Sequence, residues 1–237
     1  MDLGIILRFL PDFWQGVVVT VQLSVTTIVI ASVLGALLSA LSWSGGVVVR
    51  SALNAFSWAM RCIPALIILF LAYYGLPQLG VRLDGFTAAV AGLSVQGAAY
   101  MMEIFKSGIL GVPPGQFDAA RALGIPRARA WIQLVGPQAL RIAMPAYASD
   151  AIKILKGTSI ASTITVFELT AAANQAISIT YKAIEVLLPV AVVYALLSSI
   201  IILLQHLAER ALDPGERRRN RRERDAAAVV ATPVDVL

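Results

Sequence analysis

An uncharged apolar block at residues 16–43 constrains the fold more than any other feature of the chain. A helix needs about 20 mainly apolar residues to cross the hydrocarbon core of a bilayer, and this block is long enough. Across the chain 58% of the residues are hydrophobic and 14% are charged, whereas soluble domains average about 45–50% and about 25%. The sequence therefore predicts an integral membrane protein.

Four further apolar segments follow, and together the five predict an all-α fold with about five transmembrane helices. The later segments are residues 51–76, 86–105, 142–166 and 183–207. Arg61 and Pro64 interrupt the second segment, and Asp150, Lys153 and Lys156 lie in the fourth. The chain start lacks the positive charge and short apolar core of a cleaved signal, so the first segment is expected to be a retained helix.

Lysine and arginine are concentrated on one side of the predicted membrane. One set of loops contains Arg50, the central stretch with Arg121, Arg127, Arg129 and Arg141, and an arginine-rich tail; the other contains Arg8, Arg82 and Lys182. Cytoplasmic loops are enriched in these residues. We therefore expect the N-terminus outside, the C-terminus in the cytoplasm, and a cytoplasmic loop at residues 107–141.

The same pattern divides the chain into a transmembrane domain, residues 1–210, and a basic tail, residues 211–237. The tail is expected to be disordered, and its arginines are expected to attract anionic lipid head groups. The net charge of +5 is so unevenly placed that nucleic acid is not an expected partner. Cys62 is the only cysteine, and neither metal-ligand spacing nor a nucleophile–base pair is present. The chain is therefore not expected to be an enzyme by itself or to bind a metal.

The central loop predicts two short helices. Pro113-Pro114 stops the preceding helix, and a helix over residues 116–124 places Phe117, Ala120, Leu123 and Gly124 on one face. Gly124 is suited to end it, and Pro126 to start a second helix over residues 127–135, which Gly136-Pro137 is expected to break. Such a helix fits another protein's groove or rests on lipid, and the residues alone leave both open.

The loop resembles the Glu-Ala-Ala loop of binding-protein-dependent ABC importer permeases. Asp118-Ala119-Ala120 is followed by Gly124 at the family's spacing, and residues 134–137 resemble its Ile-x-Leu-Pro end. Asp118, Leu134 and Gly136 depart from the family's Glu, Ile and Leu. Further segments, in order, resemble the polar amino acid branch, which includes histidine and glutamine permeases: residues 16–24, 61–64, 74–77, 97–103, 114–116, 137–141, 156–160 and 168–169.

The resemblance implies how the chain is powered and what it assembles with. The loop would dock on a cytoplasmic ABC ATPase dimer, which binds ATP and Mg; this chain has no phosphate loop and no cofactor of its own. The docking residues would be Phe117, Asp118, Ala119, Ala120, Arg121, Leu123 and Gly124. A second permease chain, identical or homologous, and an extracytoplasmic solute-binding protein complete the importer, in a bacterial cytoplasmic membrane. Its solute would be a polar amino acid or a derivative such as an opine.

Charged residues inside membrane spans are costly and point to function. A zwitterionic solute needs a cation for its carboxylate and an acceptor for its ammonium. The expected substrate-pathway residues are Arg61, Glu103, Lys156, Thr158, Ser159 and Glu168. At residues 61–64 the chain has Arg-Cys-Ile-Pro for the family's Arg-Gly-Thr-Pro, and at 156–159 Lys-Gly-Thr-Ser for Lys-Asp-Thr-Ser. Alternatively, these charges pair with one another, as Glu103 and Lys106 would, or snorkel at span ends.

Two other functions remain open on the residues alone. An ATPase-independent secondary transporter or channel would use Glu103, Lys156 and Glu168 as an ion relay, but it leaves the central loop unexplained. A membrane scaffold would leave the intramembrane charges unexplained.

Overall fold

The structure, a computed structural model, describes residues 3–212, and every regular element in that range is helical. The α-helices are α1 Leu3–Arg8, α2 Leu10–Ser44, α3 Val47–Cys62, α4 Ala65–Phe70, α5 Gly85–Leu110, α6 Gly115–Ala122, α7 Arg127–Ala130, α8 Gly136–Gly157, α9 Leu169–Thr180 and α10 Ala183–Leu212. Leu71–Gly75 and Trp131–Val135 are π-helical; Leu76–Leu79 and Thr158–Ile164 are 3₁₀ segments. The predicted all-α fold is confirmed. The predicted tail lies outside the described residues, apart from the last two residues of α10.

Within the part of the chain that the structure describes, three helices are long and apolar enough to cross a membrane: α2, α5 and α10. A fourth candidate is the pair Val47–Cys62 and Ala65–Leu79, whose two parts are bent by 101°. The predicted segment over residues 51–76 is thus interrupted at Pro64, as its sequence indicated, and whether the bent pair forms one span stays a prediction. Pro64 has no amide hydrogen and disfavours helical geometry at Ile63, which is extended at ψ 130°.

The predicted fourth span corresponds to α8, which is too polar to stand among these candidates. It carries Arg141, Asp150, Lys153 and Lys156, and after Gly157 the chain continues as the 3₁₀ segment. The number of five spans stays a prediction. Helix α9 was not predicted, because only its Ala-rich middle is apolar and it is too short to span a membrane.

Helix α8 does not begin after a break. Helical structure runs without interruption over residues 127–157, through the π-helical turn Trp131–Val135. The predicted break at Gly136-Pro137 is wrong, because a π-turn shifts the hydrogen-bond register and so accommodates a proline without an amide hydrogen. The predicted helix over residues 127–135 is confirmed, but as the first turns of this longer helix.

Helix α5 lies at the centre of the fold and packs against α2, α3, α4 and α8. Small residues allow this close approach, as is usual between membrane helices. A Cβ at Gly35 would collide with Met101, and one at Gly108 would lie 2.5 Å from the Ala139 carbonyl oxygen. At the start of α5, Asp84 accepts hydrogen bonds from the hydroxyl and the amide of Thr87, which hold the pKa of that carboxyl below its usual range.

Candidate functional site: an intramembrane cation cluster and an exposed connecting helix

Two cationic side chains from different helices meet over one aromatic ring. The Arg61 guanidinium carbon lies 6.0 Å from the centroid of the Tyr100 ring, and the Lys153 ammonium lies 4.0 Å from it. Arg61 is the penultimate residue of α3, Tyr100 lies on α5 and Lys153 on α8. Aromatic faces attract cations within about 6 Å. We call Arg61, Tyr100, Lys153 and Asp150 the cation cluster.

The break after α3 positions Arg61, and α5 holds that break in place. The Gln96 side-chain amide donates hydrogen bonds to the carbonyls of Met60 at 3.2 Å and Ile63 at 2.8 Å. The Tyr100 hydroxyl donates to the Arg61 carbonyl at 3.4 Å. These carbonyls lose helical partners at the bend, so α5 replaces the missing donors. The bend, rather than a continuous helix, therefore determines where the guanidinium lies.

Asp150 holds the other cation. Its Oδ1 lies 2.8 Å from the Lys153 ammonium, and the aspartate is buried while the lysine side chain is 62% exposed. No hydrogen-bond partner for Asp150 Oδ2 is present among the described residues. Arg61 is also exposed. The cluster therefore offers two exposed cations, anchored on the buried Asp150 and the half-buried Tyr100.

Glu103 and Lys156 lie on opposite sides of the cation cluster. Helices α5 and α8 are antiparallel, with Gly97 beside Ile154 and Gly108 beside Ala139. Glu103 is thus about one turn from the cluster in one direction and Lys156 about one turn in the other, about 12 Å apart along the axis. Glu103 lies 3.9 Å from the Lys106 ammonium, so the expected pair on α5 is present. Lys156 is exposed.

Thr158 and Ser159 turn their hydroxyls back onto the chain. Each donates a 2.7 Å hydrogen bond to a carbonyl three residues earlier, Leu155 and Lys156 respectively. Thr158 is fully buried. Both lie at the junction of α8 with the 3₁₀ segment, where these bonds satisfy carbonyls at the end of the α-helix.

Glu168 is fully buried and is the N-cap of α9. Its carboxylate accepts hydrogen bonds from the amides of Thr170 at 2.8 Å and Ala171 at 2.9 Å, and from the Tyr194 hydroxyl at 3.0 Å. The Leu169 amide donates to the Thr20 hydroxyl of α2 at 3.1 Å. Glu168 therefore joins α9 to α10 beside α2, and the structure does not bring it to the cation cluster.

Helix α6 is exposed on one side and packed on the other. Gly124, with φ of 68°, follows its end in the left-handed conformation that favours glycine, as predicted. Leu123 is 77% exposed, whereas Ala120 is buried and Phe117 packs on Trp131, with ring centroids 5.3 Å apart. The predicted single apolar face is thus divided. The exposed members of the predicted docking set are Asp118, Ala119, Arg121, Leu123 and Gly124.

The predicted substrate-pathway residues did not include Gln96 and Tyr100, nor Asp150 and Lys153, whose charges the sequence had placed in the fourth segment without a role in the site. Gln96 and Tyr100 are polar side chains within a mainly apolar predicted span, and that contrast is the sequence signal that identifies them. The prediction rested on formally charged residues, whereas the Gln96 amide and the Tyr100 ring position the charges in the structure. Among the described residues, no group of three or more His, Cys, Asp and Glu side chains is placed to hold a metal ion.

The family model of the binding-protein-dependent transport system inner membrane component matches residues 31–218. The chain belongs to this family. It is therefore the membrane-spanning permease of an ABC importer whose ATPase is a separate chain, as the resemblance of the central loop implied.

Individual relatives are similar to this chain over nearly its whole length. The chain is 36% identical to an octopine transport system permease protein of Rhizobium radiobacter, covering 90% of this chain and 94% of the relative. It is 33% identical to a nopaline transport system permease protein of Agrobacterium fabrum, covering 92% and 95%. A crystal structure of an amino acid ABC transporter with histidines matches with a TM-score of 0.81 and 31% identity, covering 89% of this chain and 99% of that one. These similarities lend no support to an ATPase-independent transporter.

Proposed function

We propose that this permease translocates a polar amino acid or an amino acid derivative such as an opine, delivered by an extracytoplasmic binding protein. The observation that carries the proposal is the cation cluster, which presents two accessible cations on α3 and α8. A carboxylate is the group that all amino acids and opines share. The names of the relatives, which specify octopine, nopaline and amino acids, support the same class.

The substrate pathway follows α5 and α8 past the cluster. Arg61 and Lys153 receive the carboxylate, and Tyr100 keeps their charges beside each other. Glu103, one turn along α5, accepts a hydrogen bond from the ammonium or a basic side chain. Lys156 with Thr158 and Ser159 lies one turn away in the other direction, where it attracts the arriving carboxylate. Glu168 belongs to the pathway only if the solute reaches α9.

Helix α6 is the element that docks on the ATPase. Its exposed residues combine one large apolar side chain, Leu123, with small neighbours and the charges of Asp118 and Arg121. An exposed leucine on a short helix fits a groove on another protein. ATP and Mg bind to that partner, and a second permease chain, identical or homologous, encloses the pathway.

The chain crosses the bacterial cytoplasmic membrane five times in this proposal, with α8 as the charged span. A span with four charged residues is tolerated where it faces a polar pathway or a partner rather than lipid. The arginine-rich loops lie inside, so α6 is cytoplasmic, the N-terminus is outside and the C-terminus is inside.

Substrate and coupling are tested separately. For the substrate, the purified cognate binding protein is titrated with octopine, nopaline, histidine, arginine and glutamine, followed by uptake into proteoliposomes that contain the assembled importer. Binding and ATP-dependent uptake of at least one of these support the proposal. Binding of a sugar or an inorganic ion alone would refute the substrate class.

For coupling, Gly124→Asp is compared with Gly80→Asp. Both glycines have positive φ, 68° and 85°, and a Cβ at either position meets no atom within 4 Å, so the backbone cost is matched. We expect Gly124→Asp to lower ATP-dependent uptake at least tenfold, because a charge enters the docked surface, and Gly80→Asp to leave it near wild type. Equal uptake by the two variants would refute docking through α6.

A further inference from the structure

Helix α6 is connected to the rest of the chain by two different side-chain contacts. Gln116 accepts a hydrogen bond at 3.3 Å from the Gln138 amide on α8. Phe117 meets Trp131 edge to face, with centroids 5.3 Å apart. Its packing neighbours are otherwise α7 and the π-helical turn. These side-chain contacts are two of the routes by which a displacement of α6 reaches the spans; the short link from α5 to α6 is another.

The second contact continues beyond α8. Trp131 also meets Trp43, near the end of α2, with centroids 6.3 Å apart and planes at 83°. Edge-to-face pairs at this separation are attractive and directional. A row of three rings thus joins α6 to α2: Phe117, Trp131 and Trp43. We call it the aromatic row.

Trp131 lies at a local change in the helical register. It is the first residue of the π-helical turn, and such turns are local departures from the α-helical register. Beside it is a cavity of about 410 Å³ lined by both tryptophans and by small residues of α2 and α8, including Ala36, Ser39 and Ala139. The indole ring therefore has room to move while its edge contacts are kept.

The aromatic contact is the more suitable of the two for transmitting displacement. The glutamine pair is a single, half-buried hydrogen bond, which water can replace at little cost. The aromatic row is held by packing, and water cannot substitute for a missing ring. Val112, Val135 and Ala139 form a buried cluster against which Phe117 and Trp131 both pack.

We propose that Trp131 is a positioning residue that makes the cytoplasmic end of α2 follow α6 during the ATPase cycle, so that coupling reaches the first span as well as α8. The proposal rests on the docking of α6 in the proposed function. It adds that the aromatic row, not the glutamine pair, carries the movement to α2.

The functional test compares Trp131→Ala, Trp131→Phe and Trp43→Leu in purified importer in proteoliposomes. The readout is solute transported per ATP hydrolysed. We expect Trp131→Ala and Trp43→Leu each to lower this ratio about two- to tenfold, and their combination to lower it no further. Trp131→Phe should restore most of it. Trp58→Leu is the control, since Trp58 is 67% exposed on α3 and its loss should leave the ratio unchanged.

A distance measurement keeps the proposal testable if an alanine variant assembles poorly. Spin labels on Ser44→Cys and Gly115→Cys in a Cys62→Ser chain report the separation of α2 and α6 by double electron–electron resonance. In the otherwise wild-type importer, we expect the same distance between α2 and α6 with and without ATP. We expect ATP to change this distance in Trp131→Ala, and to change it less in Trp131→Phe. A nucleotide-dependent change in the otherwise wild-type chain would overturn the proposal. Failure of Gly124→Asp to uncouple would instead refute docking, whatever the tryptophan variants do.

Discussion

Glu168 and the cation cluster both place charged groups among apolar helices, but they differ in how those groups are satisfied. The Glu168 carboxylate is fully buried and accepts hydrogen bonds from two amides and a phenol of its own chain. Arg61 and Lys153 are exposed, and among residues 3–212 only the lysine has a carboxylate within reach. Glu168 therefore stabilises the packing of α9, whereas the cluster retains unused hydrogen-bonding capacity for a ligand.

The difference shows that a charge in a membrane span has two separate interpretations. A buried charge without partners is expensive, so a charge whose partners all lie within the chain serves the fold. A charge that is anchored at its base and exposed at its head remains available to solute. Sequence position does not distinguish these cases: Lys156 lies within the predicted span 142–166 and Glu168 just beyond it, and neither position shows whether the charge has partners within the chain.

The largest effect is expected from removing both cations of the cluster. Arg61→Met is combined with Lys153→Met and Asp150→Asn, because Lys153→Met alone would leave a buried carboxylate unpaired. Each charged hydrogen bond to a solute contributes about 1.5–3 kcal/mol. We expect ATP-dependent uptake to fall about a hundredfold or more, with the complex still assembled.

Arg82→Met is the matched control, since Arg82 is an exposed arginine just before α5. Uptake by the two chains is measured in the same proteoliposomes, with assembly checked by co-purification of the ATPase. If the cluster variant transported within twofold of the Arg82→Met chain, the cation cluster would be removed from the pathway.

A smaller effect, on stability rather than transport, is expected at Glu168. Glu168→Ala removes an N-cap, which costs about 0.5–2 kcal/mol, and leaves buried donors unsatisfied at about 1–3 kcal/mol. We expect thermal unfolding in detergent to occur at a clearly lower temperature. Glu168→Gln keeps one acceptor oxygen and should lose less than half as much.

The two Glu168 variants also test its predicted place in the substrate pathway. Uptake is normalised to the amount of folded importer. If Glu168→Gln is stable and transports normally, the carboxylate serves the fold alone. A loss of uptake at wild-type stability would return Glu168 to the pathway and weaken the contrast with the cluster.

The helical class, the membrane location and the short helix before Gly124 could be predicted, because they depend on local composition and on glycine and proline chemistry. The 101° bend at Pro64 and the continuous helix through Gly136-Pro137 show why proline alone is an incomplete guide. Both prolines lack a donor, but Gln96 supports the first break from α5, and a π-turn accommodates the second. Each outcome depends on residues distant in sequence or on a change of helical register.

The candidate site was predicted less completely for a similar reason. Arg61 and Glu103 stood out by their charge, but the ring that brings Arg61 and Lys153 together is Tyr100, one of several aromatic residues in apolar segments. The role of Glu168 as a helix cap could not be predicted, because α9 is too short to be recognised from the apolar pattern. Tertiary packing decided both.

The smallest effect is expected at Tyr100, and it tests whether the ring itself holds the cluster together. Tyr100→Phe keeps the aromatic face and removes only a long hydrogen bond of 3.4 Å to the Arg61 carbonyl. We expect uptake within twofold of wild type. Tyr100→Leu removes the face, and because a cation–π contact at an exposed site contributes about 0.5–1 kcal/mol, we expect uptake to fall about two- to fivefold. The measurement is the initial uptake rate at solute concentrations below and above KM. Equal losses in the two variants would show that the phenol hydroxyl, not the ring, positions Arg61, and the cluster would then depend on the bend after α3 rather than on two cations contacting one ring.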